Sequence, residues 1–324
     1  MPALEALGLP ELEGDLRRVE EALRGAATSD DPFLTEVARH LIDAGGKRLR
    51  PALVVCASYA VQGRRPAPAR TVVGAVAVEL VHLGSLYHDD VIDEAATRRG
   101  VPSVNARWSN VVAILAGDFL LARASELASS LGAEVAGLLA ATIGELCRGQ
   151  VVELQHLFDP GRTQDRYFEA ISGKTGALFG TACRIGGMVS GAVPEVLDAL
   201  GAFGRHLGLC FQIVDDCLDV TGTQASLGKP AGNDLLEGVY TLPVILALAR
   251  RPELAGRLGR ALEPAEADAL RRAAIEAGGV DDALAVAREE ARRADKVLAE
   301  VDGLDPEVTA GLRRLVDDLV TRRS

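Results

Sequence analysis

The chain has 324 residues, enough for one large domain or two, and 48% of them are hydrophobic while only 4% are aromatic. Its formal net charge of −11 argues against a nucleic-acid partner, because a phosphate backbone calls for a basic surface. Five scattered cysteines, Cys56, Cys147, Cys183, Cys210 and Cys217, form no CxxC pair and read as small core residues of a reducing, cytoplasmic compartment.

Ala, Leu and Val dominate, and β-branched clusters bounded by turns are few, which is the pattern of helices packed on helices. The start lacks the basic-then-apolar layout of a signal peptide. Residues 3–24 read as an amphipathic helix. Thr28-Ser29-Asp30-Asp31-Pro32 supplies capping oxygens and then a proline for a first turn, and the helix it opens ends at Gly45-Gly46. A helix over 49–61, a loop over 63–68 and a long helix over 70–94 come next. Within that long helix Thr71 to Tyr87 is the most apolar stretch of the chain. Glu79 and His82 interrupt it, so it is expected to be a buried helix and no transmembrane segment. Helices are then expected over 108–131, 134–157, 164–172, 175–191 and 194–220, followed by a loop from Gly222 to Gly232. One helix from Asp234 to about 250, despite Pro243, and three more across 253–321 complete the chain. No strand of useful length, fixed repeat or linker is visible, so the expectation is one all-α domain over 1–324.

Two of these helices end in the same acidic pentad, Asp89-Asp90-Val91-Ile92-Asp93 and Asp215-Asp216-Cys217-Leu218-Asp219. Residues three, four and seven apart share a helix face, so His82, Ser85, Asp89 and Asp93 form one stripe and Gln212, Asp215, Asp216 and Asp219 another. Asp90 is rotated off the first stripe by about 100° and is placed beside the metal-binding carboxylates. Like charges at this spacing repel, and they sit badly at the negative end of a helix dipole. Two such clusters on apolar helices therefore call for compensating cations. Carboxylates with water are the ligand set magnesium takes, with phosphate oxygens as its other partners. One pentad alone would read equally well as a solvated acidic face.

Cations are also grouped. Gly45-Gly46-Lys47-Arg48-Leu49-Arg50-Pro51 places three of them in four residues at a helix boundary, where glycine lets a backbone approach an anion closely. Lys47 and Arg50 share a face and Arg48 points elsewhere; a helix end followed by solvated basic residues is the alternative. Arg98-Arg99 follows Asp93 closely, either to bind phosphate oxygens or to balance the aspartates. Ser172-Gly173-Lys174-Thr175-Gly176 lacks the spacing and the preceding strand of a nucleotide P-loop, yet its lysine and hydroxyl suit an anion. Gly228-Lys229-Pro230 lies just past the second pentad, where it would form a closing flap.

Taken together and in this order, from about Gly45 to Ala249, these motifs resemble the trans-isoprenyl diphosphate synthases, or polyprenyl synthetase family. The resemblance implies the isoprenoid synthase fold, a bundle of mostly antiparallel helices around a deep central cavity. It implies magnesium, three ions per site, held by Asp89, Asp93, Asp215 and Asp219. Asp89, Asp93 and Asp215 match direct ligands, and Asp90, Asp216 and Asp219 match supporting carboxylates. Arg98, Lys174, Thr175, Gln212 and Lys229 match positions that hold an allylic diphosphate. Lys47, Arg50, His82 and Arg99 match positions that hold isopentenyl diphosphate, although a lone histidine on an apolar helix also reads as a core residue. The catalytic set would be Asp89, Asp90, Asp93, Arg98, Lys174, Asp215, Asp216 and Lys229. The chain departs from the pattern at Tyr240, where many relatives carry a lysine or another polar residue, which counts against a diphosphate contact there.

Product length is expected to be set one turn before Asp89. Gly84 and Ser85 are small, so the growing tail would pass to geranylgeranyl length or beyond, medium or long chain. Leu115 and Phe119 are candidates for a deeper floor, and Tyr87 faces elsewhere. A terpene cyclase would carry a different second motif and would not need Gly-Gly-Lys-Arg. A regulatory subunit of a heteromeric synthase would tend to lose an Asp motif. The apolar helices over 108–157 supply more hydrophobic surface than one bundle covers, which implies a homodimer.

Overall fold

The computed structural model describes residues 5–222 and 232–321. Helices α1 (Glu11–Ala26), α2 (Pro32–Asp43), α3 (Leu49–Gln62) and α4 (Ala69–Ile92) lead into a two-stranded hairpin, β1 (Thr97–Arg98) and β2 (Val101–Pro102). Then come α5 (Val104–Arg107), α6 (Asn110–Leu131), α7 (Ala133–Leu154) and α8 (Gln164–Ile171), which runs through a π-helical turn (Ser172–Gly176) into α9 (Ala177–Val189). The chain continues as α10 (Pro194–Thr221), α11 (Asn233–Leu236), α12 (Leu242–Arg250), a 3-10 turn (Pro252–Arg257), α13 (Pro264–Glu276), α14 (Gly279–Ala299) and α15 (Pro306–Thr321). The fold is all-α, as expected.

Local signals start the helices where the sequence puts them. Asp31 accepts hydrogen bonds from the backbone N–H groups of Phe33 (2.8 Å) and Leu34 (3.1 Å), and Pro32 occupies the first turn of α2. The segment expected as one helix from Asp234 to 250 is two. Gly238 closes the first piece at φ +78°, and Pro243, which has no N–H to donate, stands in the first turn of α12 instead of interrupting a helix. The hairpin was not expected. Its turn is Arg99 (φ +54°) and Gly100 (φ +77°), the double positive φ of a type I′ turn, which two residues from a polar connection do not announce.

Helix α4 is the axis of the core and packs against α6, α3, α9 and α1. Helix α10 packs against α9 and α14. By length and composition alone α4 and α7 could each cross a membrane, a test that the core helix of a soluble protein also passes. In the fold α4 is a core helix with 67% of its most apolar window buried, whereas only 28% of the corresponding window of α7 is covered. Four cysteines are buried and all five are free, but Cys147 is exposed and is not the core residue that the sequence predicts.

Candidate active site

Asp89 and Asp90 lie in the last turn of α4 and Asp93 caps it. The 100° between the first two separates their surroundings. Asp90 is fully buried, and its Oδ1 accepts a hydrogen bond from Arg98 Nε (2.7 Å) and forms an ion pair with Nη2 (2.6 Å). Asp89, Asp93 and Arg98 line a cavity of about 630 Å³. The tight hairpin turn sends Arg98 to this side, while Arg99 Nη1 donates to the Leu41 carbonyl (2.8 Å) and to that of Gly45.

Helix α10 brings Gln212 and Asp216 to the same cavity. Asp216 is buried and accepts from the Tyr167 hydroxyl (2.6 Å) and from Gln212 Nε2 (2.8 Å), and Gln212 Oε1 accepts from Thr175 Oγ1 (2.7 Å). The π turn carries Thr175 and Lys174 inward, and Lys174 Nζ pairs with Glu153 of α7. Backbone contact sets this position. A Cβ at Gly149 would lie 2.6 Å from the Ala170 carbonyl oxygen, and one at Gly173 would lie 2.6 Å from that of Glu145. The extra residue of the π turn thus presses directly on α7.

The second acidic stripe is divided. Asp215 is exposed and is not part of the cavity lining. Asp219 is buried and braces the returning chain: its carbonyl accepts from Gly232 N–H (2.9 Å) and its Oδ2 from Asp234 N–H (3.3 Å). Lys229, with Gly228 and Pro230, lies outside the described residues.

The basic set at the start of α3 is partly structural. Arg48 adopts φ +47° and turns inward to Glu20 (2.7 Å) and Glu79 (3.1 Å). Lys47 is exposed. Arg50 lies 4.8 Å over the Phe179 ring, and its buried Nε has no hydrogen-bond partner among the described residues. Burial pulls Arg50 down to about 10. Burial, then the charges of Arg50 and Arg99, holds His82 well below the usual histidine range. Arg50, Arg99 and His82 therefore share one electropositive region, although none of them, nor Lys47, lines the 630 Å³ cavity.

A second, apolar channel of about 300 Å³ is lined by Val81, Ser85, Leu121, Ile143 and Leu146 among others, and it shares Asp89 and Lys174 with the polar cavity. Ser85 is where the sequence put it. Gly84 is not: it sits at the crossing of α4 and α6, where a Cβ would lie 3.1 Å from both the Gly117 carbonyl oxygen and Leu121 Cγ. The channel floor is also different. Leu115 is 60% exposed, and Phe119 packs on the core without reaching the channel. The Tyr87 hydroxyl, as expected, is turned away and donates to Val37 O (2.7 Å). Tyr240 is core, its hydroxyl accepting from Gly259 N–H (2.9 Å).

The carboxylates of the cavity are electrostatically uncomfortable. Burial, with Asp93 and Glu153 nearby, raises Asp89 to about 6 against the pull of Lys174 and Arg98. Burial raises Asp216 to about 7 even though Tyr167 and Gln212 donate to it. Burial raises Asp93 as well. Burial opposes the charge on Lys174, but Glu153 with Asp89 and Asp93 lifts it above the ordinary lysine value. Among the described residues no three His, Cys, Asp or Glu side chains stand close enough to hold a metal alone. Hard oxygen donors that are costly to ionise without a cation, and too few to complete a coordination sphere, fit a divalent ion whose other ligands come with a phosphate-bearing substrate. Sequence reasoning did not single out Glu153, Arg162 or Tyr167. The only trace Glu153 leaves is a charge interrupting an apolar helical run.

The Polyprenyl synthetase family model matches residues 31–277. Among curated relatives, heptaprenyl diphosphate synthase component 2 of Geobacillus stearothermophilus is 40% identical over 310 residues, covering 94% of each chain. Nonaprenyl diphosphate synthase of Mycobacterium tuberculosis is 40% identical over 314 residues, 94% of this chain and 91% of the other. Among solved structures, a polyprenyl synthase from Caulobacter crescentus complexed with calcium and isoprenyl diphosphate superposes with a TM-score of 0.91 at 34% identity, over 99% of this chain and 98% of that one. The chain belongs to the polyprenyl synthetase family and has its all-α isoprenoid synthase fold.

Proposed function

We propose that this protein is a trans-prenyltransferase that condenses isopentenyl diphosphate with an allylic diphosphate and extends the product to medium or long polyprenyl length. The observation that carries this is the junction at Asp89 and Lys174, where a polar cavity rich in carboxylates and cations opens into an apolar channel. A diphosphate head and a hydrocarbon tail match the two halves. Magnesium, three ions per site, would be held by Asp89 and Asp93 together with Asp215, Asp219 and the adjoining Asp216. When bound it neutralises the diphosphate so that the group can leave.

The chain's own residues do the rest. Lys174 and Arg98, with Lys229 from the flap, carry positive charge to the departing diphosphate. Thr175 and Gln212 hold the allylic diphosphate by hydrogen bonds, and Gln212 keeps Asp216 oriented. Lys47, Arg50, His82 and Arg99 hold isopentenyl diphosphate. The buried, bare Nε of Arg50, in the electropositive region it shares with Arg99 and His82, supports an anion at that place. The double bond of isopentenyl diphosphate attacks the allylic cation while Ser85, Val81 and Leu121 keep water from it. The released diphosphate takes the proton, so no tuned histidine is required. The enzyme works as a single domain over 1–324, as a cytoplasmic homodimer.

Incubating the purified chain with magnesium, labelled isopentenyl diphosphate and a panel of allylic primers tests this. Incorporation into products longer than twenty carbons is expected; no incorporation with any primer overturns the reading of a self-sufficient enzyme. The Geobacillus relative is named component 2 of its synthase, which favours a second reading in which the chain acts with another component. Activity appearing only on addition of a second protein would select it.

A further inference from the structure

We propose that Arg162, which is outside the set carried by the family resemblance, is a further binding residue for the allylic diphosphate, one edge of its guanidinium taking two oxygens. The inference rests on the prenyl-transfer reading of the cavity. Arg162 stands on the connection between α7 and α8 and is only 4% exposed. A local turn presents it: its N–H donates to the Asp159 carbonyl (3.1 Å), and Asp159 Oδ1 accepts from Gly161 N–H (2.8 Å). Its Nη1 donates to the Tyr240 carbonyl (3.1 Å), and its Cζ lies 5.7 Å from the centroid of the Tyr167 ring.

Its other two nitrogens, Nε and Nη2, have no acceptor among the described residues. They form one edge of the guanidinium, whose parallel N–H groups match a pair of carboxylate or phosphate oxygens. Arg48 uses that edge on the two carboxylate oxygens of Glu20, at 2.7 and 3.1 Å. Arg162 lines the same cavity as Asp89, Lys174 and Asp216. The acidic groups that act on it most are already engaged. Glu153 holds Lys174, Asp216 holds Tyr167 and Gln212, and Asp159 closes its own turn. A buried cation with one edge bare is unfavourable until an oxyanion arrives, and substrate is the oxyanion this cavity is built to admit. Tyr240 contributes indirectly, since its carbonyl anchors the opposite corner of the guanidinium.

The test uses the whole chain with Arg162→Lys, which keeps the charge and loses the fork, and Arg162→Gln, which loses both. Calorimetric binding of inorganic pyrophosphate in the presence of calcium reads the site without turnover. Both variants are expected to bind it about tenfold more weakly or worse, as loss of a charge-assisted pair of hydrogen bonds implies. With substrates, KM for the allylic diphosphate rises while KM for isopentenyl diphosphate stays. Unchanged pyrophosphate affinity in folded Arg162→Lys overturns the proposal and leaves a structural strap. If both variants unfold, a crystal structure of the unaltered chain with calcium and pyrophosphate decides. Oxygens within hydrogen-bond distance of Nε and Nη2 support the proposal, and an edge turned away from the anion overturns it. A wild-type chain that neither turns over substrates nor binds pyrophosphate sinks the functional reading itself, whatever Arg162 does.

Discussion

Asp89 and Asp90 are adjacent and could hardly differ more in environment. Asp90 is locked beneath Arg98, while Asp89 faces the junction of cavity and channel with its carboxyl raised to about 6. Asp216 stands at about 7. Both folded values lie above that of an ordinary unfolded aspartate, near 4. Their contribution to stability in metal-free protein is therefore fully present below about pH 4 and is lost as pH rises through 6 to 7. A divalent ion binds the ionised forms and reverses that trend. Magnesium is thus expected to raise Tm more at pH 8 than at pH 5.5; thermal melts at the two values check this, and equal shifts would contradict it. Ser85 makes a different prediction. Ser85→Phe fills the apolar channel just below Asp89 and is expected to shorten the product, measured by chromatography. Gly84→Phe is not an equivalent experiment. Its side chain would meet Gly117 and Leu121 at a helix crossing, costing about 1–3 kcal/mol or more by overpacking, read as a lower Tm.

At the scale of elements, the π turn between α8 and α9 does what an α-helix at this place would not. It aims Lys174 at the cavity, brings the Thr175 hydroxyl to Gln212 and sets Gly173 against the backbone of α7. Gly173→Ala is expected to cost about 1–3 kcal/mol, because the added Cβ meets the Glu145 carbonyl oxygen at 2.6 Å and the Gly149 Cα at 2.8 Å. It should also raise KM for the allylic substrate by displacing Lys174. A variant that loses stability but keeps its KM would separate packing from positioning. The hairpin acts similarly with fewer residues: one tight turn sends Arg98 to Asp90 and Arg99 to the carbonyls of Leu41 and Gly45.

For the whole molecule the unbalanced feature is the face made by α6 and α7. Val111, Ile114 and Leu115 on α6 and Val151 and Leu154 on α7 are all more than 40% exposed, and the last two also line the apolar channel. Exposed apolar side chains grouped on one helix pair favour a second copy of the chain over open water. Light scattering of the wild-type protein is expected to give twice 34.0 kDa, and the pair Val111→Glu and Leu115→Glu to give the monomer mass. A monomeric wild-type chain would turn attention to a heteromeric partner instead.

Sequence alone was enough for the helical class, because apolar period, capping residues and the absence of strand patterning are local properties of the chain. It was also enough to mark the two aspartate clusters and the cationic residues as candidates, since their chemistry resides in residue type and spacing. Tertiary structure decided which of those residues meet. It divided Asp215 from Asp216 and Gly84 from Ser85, although each pair is adjacent in sequence, because a helix turns neighbours onto different faces and only packing decides which face is covered. It also recruited Glu153, Arg162 and Tyr167, whose partners lie 21 to 78 residues away along the chain. Such pairings depend on how helices cross, and no window of sequence contains both ends of them.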